Sequence, residues 1–308
     1  MIRRLVPWLK WLVPLAAAFF IARVVYRQWP AVRGFDWRLD PAYLALSFLF
    51  TSTWYFIRGL VWRAIIQHFG PRLPYRECVR IFVLGELTRY VPGTVWQYLS
   101  RMYMAGRWGV PAAVALQSAL MELLLMALAA APLLLWHIDV VFPVLARSQR
   151  ALLVVFLAAA LLLLQPAVLN RLARLVLPRL RLEYAPIRMS YLTICGLWAA
   201  CLGQWLLFGT GFALFVRSLA PIPFHHAVEL ASNYALSWLV GVATSFVAPG
   251  GIGVREGVLG VLLGKILPIG MALLIAVLSR LWLIVLELFW AAVAQVYLRV
   301  PPPGEDLR

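Results

Sequence analysis

Six stretches of the chain, at about residues 5–26, 41–66, 111–136, 151–168, 189–216 and 268–298, stay apolar for long enough to cross a lipid bilayer as single helices. An α-helix rises about 1.5 Å per residue, so a hydrocarbon layer of ~30 Å takes roughly 20 residues. Helices suit that environment because they satisfy their own backbone N–H and C=O groups where no water is available. Composition excludes a soluble alternative. Of 308 residues, 64% are hydrophobic and 13% charged, against about 45–50% and about 25% in soluble domains. The expected fold is an all-α membrane protein with a single membrane domain over residues 1–308.

The charged residues are 28 Lys/Arg against 12 Asp/Glu, with only Lys10 and Lys265 as lysines. The arginines sit between apolar runs rather than along one polar face, so anionic lipid head groups are the expected partner and nucleic acid is not. Cys78, Cys195 and Cys201 are too few and too apolar in context for a disulfide framework or a metal site. No cofactor is expected. Arg3 and Arg4 precede an apolar run to Ala22 that lacks a small-x-small cleavage site, which reads as a retained first helix.

Two segments are not plain spans. Residues 77–107 are interrupted by Val91-Pro92-Gly93-Thr94, and residues 226–265 by Ala248-Pro249-Gly250-Gly251-Ile252-Gly253. Proline removes a backbone donor and glycine permits unusual dihedral angles, so helix is not expected to run through either site. Broken backbone at membrane depth survives only inside protein or beside a wet cavity. Both segments are therefore expected to be re-entrant helical hairpins beside about six full spans, or up to eight or so spans if the hairpins cross. His226 to Phe246 is long enough to cross, which keeps the second alternative open.

The two segments resemble each other. Gly85, Thr88 and Val91 recur as Gly241, Thr244 and Val247, and Pro92-Gly93 matches Pro249-Gly250 after one insertion. This gives repeat 1 at about 41–136, repeat 2 at about 189–298 and a linking span at 151–168. With both termini cytoplasmic, 17 Lys/Arg fall on inner segments, eight on outer ones, and Arg89, Arg255 and Arg280 within the membrane. That excess fits the positive-inside rule. The hairpins then enter from opposite sides as inverted repeats, an arrangement found around midplane sites of transporters.

Charges inside such segments are informative, because one at the bilayer centre costs at least ~2.5 kcal/mol. Glu86 and Arg89 lie three apart in the first hairpin, with Arg101 in its second arm; Glu122 stands alone in the third span. The second hairpin carries Glu229 and, after its break, Arg255 and Glu256; the last span carries Arg280 and Glu287, seven apart and on one face. Ion pairing that only ties helices together is one reading of these groups. The other is a charge-compensated cavity for an anionic head group. Gly250, Gly251 and Gly253 precede a helix start whose free N–H groups, with Arg255, suit a phosphate. A glycine hinge for close helix packing is the alternative. His225-His226 has no acid or cysteine set at metal-ligand spacing and reads as an interfacial pair. The arginine-rich stretch from Arg171 to Arg188 reads as a cytoplasmic loop.

Gly85-Glu86-Leu87-Thr88-Arg89-Tyr90-Val91-Pro92-Gly93-Thr94-Val95-Trp96-Gln97, with Arg101 downstream, resembles a signature of the flippase-like membrane domain of lysylphosphatidylglycerol synthases. Pro249-Gly250-Gly251-Ile252-Gly253-Val254-Arg255-Glu256-Gly257 is similar to a second signature of that family. The resemblance covers roughly residues 10–300. It implies an inner-membrane protein that moves a phospholipid or lipid-linked head group between leaflets. Arg89 and Arg255 would engage the phosphate, Glu86, Glu122 and Glu256 would balance charge or an amine, and Arg101, Arg280 and Glu287 would line the path. No soluble aminoacyl-transferase domain is expected in this chain, so a separate synthase or glycan-assembly enzyme is an expected partner. A membrane-embedded enzyme acting on a polyprenyl phosphate, or an accessory subunit for one, is the alternative. No acidic cluster for Mg²⁺ or a general base favours the enzyme.

Overall fold

The computed structural model describes residues 37, 39–70, 72–90, 95–136, 164–180, 184–245 and 251–298, with scattered positions in 23–34 and 151–161. Among the described residues every regular element is helical. In chain order the α-helices are α1 (Trp29–Arg33), α2 (Pro41–Gln67), α3 (Tyr75–Leu87), α4 (Trp96–Gly106), α5 (Ala112–Trp136), α6 (Pro166–Val176), α7 (Tyr191–Leu219), α8 (Ala227–Thr244), α9 (Val254–Leu263) and α10 (Ile269–Tyr297). Four of them, α2, α5, α7 and α10, are long and apolar enough to cross a membrane. They match the expected spans at 41–66, 111–136, 189–216 and 268–298 to within three residues at each end. The chain is an all-α membrane protein.

Other expectations fare differently. Of the span at 5–26 only positions 23 and 26 are described. The span expected at 151–168 does not reach its predicted end, because the chain turns at Leu164 and Pro166 opens α6. Proline cannot continue a helix through its missing N–H but is well suited to a first turn. Consequently Arg171 and Arg174 lie on α6, not in a loop. Asn170 of α6 fastens the extended chain that follows: its carbonyl oxygen accepts from the Ile187 N–H and the Tyr184 hydroxyl, each at 2.7 Å. Gln117 of α5 holds the same stretch by a reciprocal pair with the Ala185 backbone.

Both broken segments are helical hairpins. In the first, α3 and α4 have 13 and 11 residues, so each rises about 20 Å or less and falls short of the bilayer. A 3₁₀ turn at Thr88–Tyr90 follows α3; the predicted break at 91–94 lies outside the described residues. In the second, α8 and α9 have 18 and 10 residues. Of that break, Gly251, Ile252 and Gly253 are described, and Phe246 to Gly250 are not.

The chain forms two compact units. The first comprises Met1–Thr53, Arg89–Thr94 and Trp205–Leu286; the second comprises Trp54–Thr88, Val95–Gln204 and Glu287–Arg308. In the first unit, Asp40 caps α2 by accepting from the N–H groups of Ala42 and Tyr43, and Pro41 fills the first helical position. There α2 packs closely on α7: Ser47 donates to the Gly211 carbonyl at 2.8 Å, and Gly211 leaves room for Thr51. Phe208 and Phe212 of α7 pack on Tyr234 of α8, and Gly209 admits Ala231. In the second unit, Gly59 of α2 lies against Val79 of α3, and the Trp62 indole donates to Ser118 of α5 at 3.0 Å. Small residues at such crossings let helices approach where no hydrophobic driving force between them exists.

Candidate functional site

The second unit contains a closed ring of four charges, one from each of four helices. Arg58 of α2 donates to Glu86 of α3 and to Glu122 of α5, both at 3.0 Å. Arg101 of α4 donates to the other oxygens of the same two carboxylates, at 2.5 Å to Glu86 and 2.8 Å to Glu122. Each guanidinium thus bridges both acids and each acid accepts from both bases. Phe82 lies beneath both guanidiniums, 4.9 Å from Arg58 and 4.3 Å from Arg101. Trp54 and Trp62 complete the aromatic surround. Opposite charge on both sides of every group is what makes such burial tolerable, although the Nε of Arg101 is buried with no hydrogen-bond partner among the described residues. Glu287 of α10 is fully enclosed in the same unit.

Arg101 reaches this ring because Gly85 leaves space for it. A Cβ on Gly85 would lie 2.8 Å from Arg101 Cγ. One turn on, the Thr88 hydroxyl donates to the Gly85 carbonyl at 2.7 Å and lies 3.0 Å from the Ser100 hydroxyl of α4, tying the arms together.

The first unit holds a second cluster built on the same plan with different charges. Gly241 of α8 faces Arg255 of α9, and a Cβ there would lie 3.3 Å from Arg255 Cβ. The Thr244 hydroxyl donates to the Val240 carbonyl at 2.7 Å, with the Gly241 carbonyl at 3.4 Å, whereas Thr88 donates to Gly85. Arg255 is 8% exposed and lies 4.5 Å over the Tyr234 ring. Gly251 and Gly253 have φ of +67° and +84°, and Gly251 packs directly on Gly241. Gly253 caps α9, its N–H donating to Glu256 Oε2 at 2.6 Å. The other oxygen of Glu256 is 3.8 Å from Arg280 Nε. Arg280 also lies 5.2 Å over the Tyr90 ring, on which Arg89 is stacked as well. The hydroxyl of Tyr90 accepts from Arg89 at 3.3 Å.

The predicted residues therefore fall into two groups. Glu86, Arg101 and Glu122 meet in the second unit; Arg89, Gly251, Gly253, Arg255, Glu256 and Arg280 belong to the first, and Gly250 lies outside the described residues. Glu122 and Arg280 play parallel parts, since each pairs with the second arm of its preceding hairpin. Glu86 and Arg89 do not continue one α-helical face, because α3 ends at Leu87 and Arg89 sits in the 3₁₀ turn. Glu229, expected within a hairpin, sits in the first turn of α8 and pairs with His226 at 2.8 Å.

Three participants escaped the sequence reading. Arg58 is the largest omission, being counted there with the cytoplasmic cations. Its position nine residues before the end of a 27-residue apolar helix was the available signal. Tyr90 and Tyr234 were also missed, because aromatic side chains in membrane helices are ordinary packing residues. Comparison of the chain with family models, curated proteins and solved structures finds no match in any of the three.

Proposed function

We propose that this protein is a flippase-like transporter of the bacterial inner membrane, moving a phospholipid or lipid-linked head group between leaflets. The observation that carries the reading is Arg255. It is a buried guanidinium beside a glycine turn at a helix start, and among the described residues it has no carboxylate partner. A phosphate head group would supply the missing charge and accept the planar fork of donors. The resemblance to the membrane domain of lysylphosphatidylglycerol synthases points the same way, as do the matched glycine–arginine contacts of the two hairpins. In this reading Arg89, Arg255 and Arg280 face the ligand, Glu86, Arg101 and Glu122 tie together the helices of the second unit, and both termini face the cytoplasm.

The test is transbilayer movement of labelled lipids in proteoliposomes, comparing wild type, Arg255→Ala and empty vesicles. Faster movement with wild type, lost in Arg255→Ala, is expected. If no lipid class moves faster than in empty vesicles, transport by this chain is ruled out. Product formation from lipid and activated sugar would point instead to a membrane-embedded enzyme, and stable co-purification with a synthase to an accessory subunit.

A further inference from the structure

The two charge clusters differ in their balance. In the second unit two guanidiniums meet two carboxylates, and every group bonds both groups of opposite sign. In the first unit Arg255, Glu256 and Arg280 line one crevice with Tyr234 and Ser279. Two buried cations there face one carboxylate. Arg280 is 9% exposed, and its Nη2 is buried with no hydrogen-bond partner among the described residues. Its contact with Glu256 is long, at 3.8 Å. A buried guanidinium left without a counter-charge is strongly unfavourable, and buried donors are normally satisfied. The ring leaves a buried donor over as well, at Arg101 Nε, so what distinguishes the crevice is positive charge to spare.

No carboxylate in either cluster is to spare. Glu86 and Glu122 each already accept from two arginines. Glu256 is held by the Gly253 N–H and by Arg280. Among the described residues that line the crevice Glu256 is the one acid, and it is already engaged.

We infer that the first-unit cluster binds a head group of net negative charge, a phosphodiester or phosphate monoester without an ammonium, and rejects zwitterionic and cationic head groups. That the anion is carried on a lipid rests on the transport reading; that an anion binds does not. An entering phosphate takes Arg255 and the unpaired nitrogen of Arg280, and competes with Glu256 for Arg280.

The full-length protein in detergent tests this by titration with four probes, read by tryptophan fluorescence. These are a short-chain lipid with a phosphate monoester head, one with a phosphoglycerol head, one with a phosphocholine head, and inorganic phosphate. Both anionic lipids are expected to bind at least about tenfold more tightly than the phosphocholine lipid, a difference of one decade in dissociation constant. Arg255→Gln and Arg280→Gln should each weaken anionic binding roughly thirtyfold or more, as loss of one partner in a buried charged pair does. Arg188→Gln, at an exposed site outside the cluster, should leave it unchanged. Glu256→Gln keeps a cap for Gly253 but removes the competing charge, and should tighten anionic binding.

Equal affinity for phosphocholine and anionic lipids, or undiminished binding by Arg255→Gln, overturns the inference. Unchanged or weaker binding by Glu256→Gln overturns the competition. If Arg255→Gln does not fold, Arg255→Lys, which keeps the charge and loses the fork, reports instead, and binding as tight as wild type overturns the role of the fork. Inorganic phosphate binding as tightly as the lipids keeps the anion site and overturns the lipid source. Anion preference without lipid movement in vesicles upholds this inference and removes the transport reading alone.

Discussion

Gly85 and Arg101 touch across the first hairpin so closely that a side-chain carbon on the glycine would come within 2.8 Å of the arginine's Cγ. Gly241 and Arg255 repeat the contact in the second hairpin at 3.3 Å. Gly85→Ala should therefore destabilise by about 1–3 kcal/mol, the usual range for overpacking. Arg101 cannot yield freely, since it is bonded to two carboxylates. Gly241→Ala should cost less than Gly85→Ala. Denaturation midpoints in detergent would show the ranking, and equal stability of Gly85→Ala and wild type would refute the contact.

The four-charge ring predicts strong non-additivity. Arg101→Met leaves two buried carboxylates facing one cation and should cost about 3–5 kcal/mol. Arg101→Met combined with Glu86→Leu leaves Arg58 and Glu122 as a balanced pair and should recover part of that loss. A double-mutant cycle on unfolding midpoints measures the coupling. Additive losses would mean that the four groups act independently.

At Gly253 the backbone has φ +84° and ψ −44°, a region that disfavours any residue with a Cβ. Gly253→Ala should cost about 1–3 kcal/mol from backbone strain. The readout is the same unfolding midpoint, with Gly257→Ala as reference, since a Cβ at Gly257 meets nothing within 4 Å. Equal effects at the two positions would count against strain at Gly253.

Topology can be read with single cysteines after replacing Cys78, Cys195 and Cys201. Arg72, Arg188 and His225 are exposed. Arg72→Cys and Arg188→Cys should react with an impermeant thiol reagent from the cytoplasmic side, and His225→Cys from the opposite side. Labelling of all three from one side would abolish the inverted arrangement of the hairpins.

The long helices were legible because lipid imposes its demand residue by residue: about 20 apolar positions in a row have few other uses. The breaks were legible for a similar reason, since proline and glycine act on their own backbone. Partnership was not. Arg58 sits where an arginine can snorkel toward head groups along its aliphatic stem, and nothing local says that it turns inward to meet residues 28 and 64 positions away. Arg280 and Glu287 show the same limit: their spacing of seven on the continuous helix α10 places them on one face, but does not say that Arg280 pairs with Glu256 of α9. The turn before Pro166 was hidden by apolar residues on both sides of it.

The charge ring also sets an order of events during synthesis. Arg58 emerges 64 residues before Glu122, the later of its two ring partners. At about 5–20 residues per second, that delay is roughly 3–13 s. Through that interval the arginine lacks part of its counter-charge, and in lipid it could be accommodated only by snorkelling to the head groups. The nascent chain must therefore keep α2 sheltered, in the insertion machinery or at the head-group level, until α5 is made. A chain stopped short of Glu122 would hold two arginines of the ring against the single carboxylate of Glu86.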